Sequence, residues 1–137
     1  MIIVYICEMN LCKKIVSCVC MVVLSLSAMA TSRVEYLTVK HDFGTINEAD
    51  GKVSCAFELK NVGDTPLVIL GVYVTCGCTT YEYTQEPIAP GQVGEVRVTL
   101  DPTGLEGSYI KSIHIYTNTR PKKKTVRIHS YIVPQED

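Results

Sequence analysis

The residues of this chain best placed to do chemistry are two thiols on either side of a glycine, in Thr75-Cys76-Gly77-Cys78-Thr79. Gly77 permits a tight bend, so Cys76 and Cys78 can close a disulfide. Its ring is so small that it removes little chain entropy, and its strained geometry makes it easy to reduce. That combination suits redox exchange better than stapling. Two thiolates can instead hold a soft ion such as Cu(I), whereas a closed zinc site wants four ligands. The plain alternatives are a pair that only shapes a strand end, or one that links to another molecule.

A third thiol, Cys55, lies in Lys52 to Lys60, where Val53, Cys55, Phe57 and Leu59 alternate with Lys52, Ser54, Glu58 and Lys60. Antiparallel folding about a turn at Asn61–Pro66 sets Cys55 level with Gly71. Cys76 then falls about 16 Å further along, beyond the roughly 7 Å between Cα atoms that a disulfide allows. Cys55 is therefore expected to be a small buried core thiol.

Other reactive groups are sparse. Inward Ile113, Ile115, Val126 and Ile128 turn His114 and His129 outward, and a hairpin centred between Pro121 and Lys122 pairs the two histidines directly. Without a third ligand they read as solvated surface residues. His41 has no evident partner. The basic run Arg120 to Lys124 falls at the hairpin tip, where it could meet phosphates but more simply blunts a sheet edge. The sequence has no Gly-rich phosphate loop, no His-Glu-x-x-His, no Gly-x-Ser-x-Gly and no paired-carboxylate spacing. It implies neither an enzyme nor a cofactor.

The elements that must carry these groups are strands. From Arg33 onward the apolar residues recur at every second position. Val34 to Lys40 reads as a first strand, and His41-Asp42-Phe43-Gly44-Thr45 as a kink and restart with Gly44 at a bulge. The run from Pro66 to Val74 is apolar and β-branched, with Val68, Leu70, Val72 and Val74 on one face and Ile69 and Tyr73 on the other. Two apolar faces suit a central strand. Thr79 to Tyr83 suits an edge, and Pro90-Gly91 a type II turn. Val96, Val98 and Leu100 point inward, as does Ile132. Seven or eight short strands with turn signals between them make an all-β sandwich. There is no Trp and only two Phe, so its core is aliphatic.

The first thirty residues stand apart. Met9-Asn10-Leu11-Cys12-Lys13-Lys14 is a short basic start, Ile15 to Leu26 is apolar, and Ala28-Met29-Ala30 is a cleavage signal. This is the plan of a secretory signal peptide, residues 1–30, with the true start at Met9. The apolar run is shorter than the roughly 20 residues a spanning helix needs, which favours a cleaved signal over a retained membrane anchor, and after cleavage no membrane span is expected. Removing thirty of 137 residues leaves 107 for the domain, 31–137. It also takes Lys13, Lys14 and Glu8, so Lys+Arg falls from 13 to 11 and Asp+Glu from 14 to 13. That balance excludes nucleic acid as the main partner. Four of the seven cysteines leave too, and Cys55, Cys76 and Cys78 remain.

Several phrases, in order, resemble one bacterial group. They are His41-Asp42-Phe43-Gly44-Thr45, Phe57-Glu58-Leu59-Lys60-Asn61-Val62-Gly63, Pro66-Leu67-Val68-Ile69, Thr75-Cys76-Gly77-Cys78-Thr79 and Ile88-Ala89-Pro90-Gly91. The group is the domain-of-unknown-function family numbered fifteen seventy-three, related to hydin-like and major-sperm-protein-like immunoglobulin folds. The resemblance runs from about Glu35 to Asn118 and implies an exported immunoglobulin-like β-sandwich with no established activity. The expected role is a non-catalytic module in the periplasm or secreted, binding an unknown protein or cell-envelope component. The end carrying Cys76 to Thr80 is the candidate surface. The competing role is a small thiol redox or copper-binding protein acting through Cys76 and Cys78.

Overall fold

The computed structural model describes residues 12–15 and 29–136. The expected signal peptide therefore lies, but for a few residues, outside the described part. Among the described residues no helix is long and apolar enough to cross a membrane.

Alternation after Arg33 builds eight strands: β1 (Val34–Tyr36), β2 (Lys40–Asn47), β3 (Val53–Asn61), β4 (Ile69–Val74), β5 (Thr79–Tyr83), β6 (Val93–Leu100), β7 (Gly107–Thr117) and β8 (Lys123–Val133). They form two four-stranded sheets, β1-β3-β6-β5 and β2-β8-β7-β4. Every pairing is antiparallel except β2 with β8, which is parallel. Phe57, Leu59, Val96 and Val98 from one sheet pack on Ile113, Ile115, Val126 and Ile128 from the other, and all eight are fully buried. The period-two pattern thus yields the expected all-β sandwich, with an aliphatic interior.

Three expectations need correcting. The proposed first strand is two: β1 belongs to one sheet and β2 to the other, and the chain crosses between them over residues 37–39. The bulge does fall where Gly44 places it, between Asp42 and Thr45, with Gly44 at φ 68°.

Second, β4 is an edge strand rather than a central one. A bulge between Ile69 and Gly71 shifts its phase, so Ile69 and Val72 are buried while Leu70 and Tyr73 are exposed. Third, β3 does not pair with β4. Its partners are β1 and β6, and β4 crosses to the opposite sheet to pair with β7. The segment 62–68 is therefore a crossover rather than a hairpin.

That crossover is built on a buried side chain, Asn61. Its Nδ2 donates to the carbonyls of Thr65 and Ile88, each at 2.8 Å, and its Oδ1 accepts the Gly63 N–H at 3.0 Å. Its main chain also bonds Gln92 and Gly91. One amide thus ties the crossover to the turn before β6, where Gly91 takes φ 81° and Gln92 donates back to Ala89 as a type II turn requires. Gly63 lies so close to the chain before β1 that an added Cβ would collide with the main chain of Thr31 and Arg33. Asn61→Ala leaves buried polar groups unpaired and is expected to cost about 3 kcal/mol in chemical denaturation. Gly63→Ala is expected to cost about 1–3 kcal/mol and to release the amides around β1 to hydrogen exchange.

Candidate functional site

The Cys76-Gly77-Cys78 corner joins β4 to β5, one edge strand from each sheet. It therefore turns the chain from one layer of the sandwich to the other. Cys76 and Cys78 are joined as a disulfide with Cα atoms 5.4 Å apart. Both cysteines are half-buried, and Gly77 between them is exposed. A disulfide sulfur carries no proton, so the Tyr109 hydroxyl, 2.6 Å from Cys78 Sγ, is the donor there. Cys78 also packs beside Ile46, Leu100 and Ile132 in a second, smaller core cluster. Its carbonyl accepts the Asp101 N–H at 2.9 Å.

This end of the sandwich is drawn closed by carboxylates. Glu48 reaches across to accept the N–H of Gly104 at 2.8 Å and that of Gln135 at 3.1 Å. Those two backbone donors hold the Glu48 carboxyl below its ordinary range. Asp101 is likewise lowered, first by the Thr103 hydroxyl and then by the Thr103 N–H, with Lys52 a lesser cause.

What can the corner do chemically? While the disulfide is closed, each sulfur's valence is taken by the other and no thiolate is free to hold Cu(I). Among the described residues no three His, Cys, Asp or Glu side chains converge on one point. Cys55 is a free thiol, 9% exposed in the main core, and burial pushes it up to about 11.

The histidine pair expected at one register does not form. His114 stands opposite Thr125 and His129 opposite Ile110. The four-residue offset along β7 sets the two positions about 13 Å apart along the strands. The hairpin is centred near Thr119 and Arg120 instead, because Asn118 and Thr119 are drawn into the fold. Asn118 bonds the main chain of Pro66 and Val68, and buried Thr119 bonds Thr117. His114 Nδ1 lies 3.0 Å from Thr125 Oγ1 and its ring stacks with Tyr73. His41 sits edge-on to Phe43. The basic residues Arg120 to Lys124 are exposed at the hairpin tip. They lie at the opposite end from the cysteine corner, since β4 runs from the tip toward it.

The family model for a "Protein of unknown function (DUF1573)" matches residues 34–132, the whole sandwich but its last residue. The chain belongs to the DUF1573 family. No curated protein matches the sequence. Among solved structures, this DUF1573 chain is similar to a protein of unknown function from Porphyromonas gingivalis W83. The identity is 24% and the TM-score 0.65, covering 78% of this chain and 50% of that one. It is similar to part of the Vibrio cholerae VesB protease, with 20% identity, TM-score 0.60 and coverage of 72% and 31%. It is similar also to the ASH / PapD-like domain 7 of human CEP192, with 15% identity, TM-score 0.59 and coverage of 82% and 93%. The chain thus spans about half the length of the first of these and under a third of the second. These likenesses show the fold, an immunoglobulin-like sandwich.

Two outcomes follow for the DUF1573 site. A carboxyl held low stabilises the fold above its ordinary value of 4.5 and loses that contribution as pH falls through the lowered one. Amide protection at Gly104 and Gln135 should decline on acidification, and Glu48→Ala should abolish it at neutral pH. For the thiols, oxidised chain 31–137 should show none to a thiol reagent at pH 8, one (Cys55) on unfolding, and three after reduction. The Cys76→Ser/Cys78→Ser pair should shift stability by no more than about 2 kcal/mol.

Proposed function

We propose that this chain is an exported, non-catalytic immunoglobulin-like module that works by binding another protein or a component of the cell envelope, in the periplasm or outside the cell. The observation that carries this reading is the state of the sheet edges. Edge strands β4 and β5 present Leu70 at 58% exposure, Tyr73 at 60% and Tyr81 at 41%. Open edges with apolar side chains invite pairing with another chain, and natural proteins cover them when they are not used. Amphipathic tyrosines supply contact area at low entropic cost. Export is supported by the N-terminal sequence, with its basic start, apolar run and Ala28-Met29-Ala30.

The test is photo-cross-linking in living cells with a reactive residue at Tyr73 or Tyr81, followed by fractionation. A discrete adduct in the envelope or medium, on a chain whose N-terminus has been trimmed near Thr31, is the expected result. Recovery of the untrimmed chain from the cytoplasm, with no adduct from either position, overturns the reading.

A further inference from the structure

Main-chain polar groups along an antiparallel strand turn alternately to its two sides, so the register on one side determines what faces the other. Just before β8, the N–H of Thr117 at the end of β7 donates to the Lys122 carbonyl at 2.8 Å. The main chain of Lys124 and Val126 therefore also faces β7, and that of Lys123 and Thr125 faces away. On that far side β2 begins pairing only at Lys40 with Arg127, where the Arg127 N–H donates to Val39 at 3.0 Å. Short of this point, Lys123 and Thr125 have no strand beside them among the described residues.

The other sheet is open at the same place. The Val62 N–H donates to Arg33 at 3.1 Å and the Leu37 N–H to Glu58 at 3.0 Å. Arg33, Glu35 and Leu37 thus turn their main chain to β3, which leaves that of Val34 and Tyr36 facing outward. The two free edges border one groove of about 460 Å³, with Val34, Tyr36 and Pro121 for its apolar wall. Arg33, Arg120, Lys123 and Lys124 stand around it. Lys124 Nζ lies 5.7 Å from the Tyr36 ring centre, across the gap. Among the described residues the ion pairs are Lys52 with Asp101 and Arg97 with Glu95, so none of these four cations is paired. Glu35, the nearest acid in sequence, alternates out of phase with Val34 and Tyr36 and is exposed on the sheet's outer side.

We propose that this groove is a docking slot for an extended acidic segment of a partner protein. The segment adds as a strand beside Lys123 and Thr125, pairing with their main chain. Its alternate side chains turn inward toward Val34 and Tyr36, and its carboxylates meet the four cations. Charge complementarity selects the acidic segment, and the unpaired main chain selects an extended one. The slot specifies one surface and one ligand class within the binding role proposed above, and it rests on that role.

The probe is a labelled hexapeptide of alternating Glu and Val, titrated into the full mature chain. Comparison peptides replace Glu by Lys, or carry N-methyl groups on alternate amides in either of the two registers. The Glu-Val peptide should bind at least about tenfold tighter than the Lys-Val peptide. One N-methyl register should lose about tenfold and the other should bind like the parent. Arg120→Glu with Lys123→Glu, both exposed and outside the core, should weaken binding about tenfold.

Equal binding by both N-methylated peptides would reduce the slot to a charge patch and overturn the proposal. So would binding of inorganic phosphate or phosphatidylglycerol vesicles without the peptide, or no peptide binding at all. In those cases an adduct through Tyr73 or Tyr81 leaves the wider binding role standing. If those adducts are absent as well, that role falls too.

Discussion

The Asn61 side chain is the constraint on which the rest of the molecule depends. A buried amide that loses its partners costs far more than one such bond contributes, so its environment is held to a single arrangement. Two donated bonds and one accepted bond bind the crossover between the sheets to the turn before β6. The crossover in turn presents Gly63, bare of a side chain, to the backbone of Thr31 and Arg33. β1 is thereby seated on β3, and the seat of β1 decides where the chain must leave one sheet for the other. The aliphatic interior supplies the driving force for folding, but it would tolerate several ways of joining its strands. Asn61 removes that freedom.

Much of this fold is legible in the sequence because most strands bury one face only. In β3 and β6 the apolar residues fall at every second position, and Phe57, Leu59, Val96, Val98 and Leu100 are all fully buried. Legibility fails where alternation carries no information. In β4 both faces are apolar in sequence, so neither its phase nor its place at an edge can be read, and a bulge then reverses Leu70 against Ile69. Pairing partners fail for a different reason. A turn of Asn, Gly, Asp and Pro says that the chain bends, but not whether it returns to the same sheet or crosses to the other. The hairpin of β7 and β8 shows the same limit: Pro121 marks the region, while the anchoring of Asn118 and Thr119 sets the register.

The two ends of the sandwich differ in kind. At the cysteine end, Glu48, Asp101, Cys78 and Tyr109 satisfy one another and the surrounding main chain. At the other end, cations and main-chain groups are left unanswered among the described residues. The thiol pair stands out in a sequence by residue type alone, so it attracts the eye first. The basic run reads only as a blunted edge until one knows that β1 and β2 lie in different sheets. Arg33 and Lys124 are far apart in the chain, and nothing in their local sequence brings them to one groove.

The parallel pairing of β2 with β8 carries a mechanical consequence. β8 is the last strand before the C-terminal end of the described domain and β2 the first after the short β1 at its N-terminal end, and the two run side by side in the same direction from Lys40 beside Arg127 to Asn47 beside Val133. Tension applied between those ends slides one strand lengthwise along the other, so the whole ladder is loaded at once instead of parting rung by rung. A sandwich strung between an anchorage and a cargo would, in this geometry, bear a pull as a rivet does and not as a zipper.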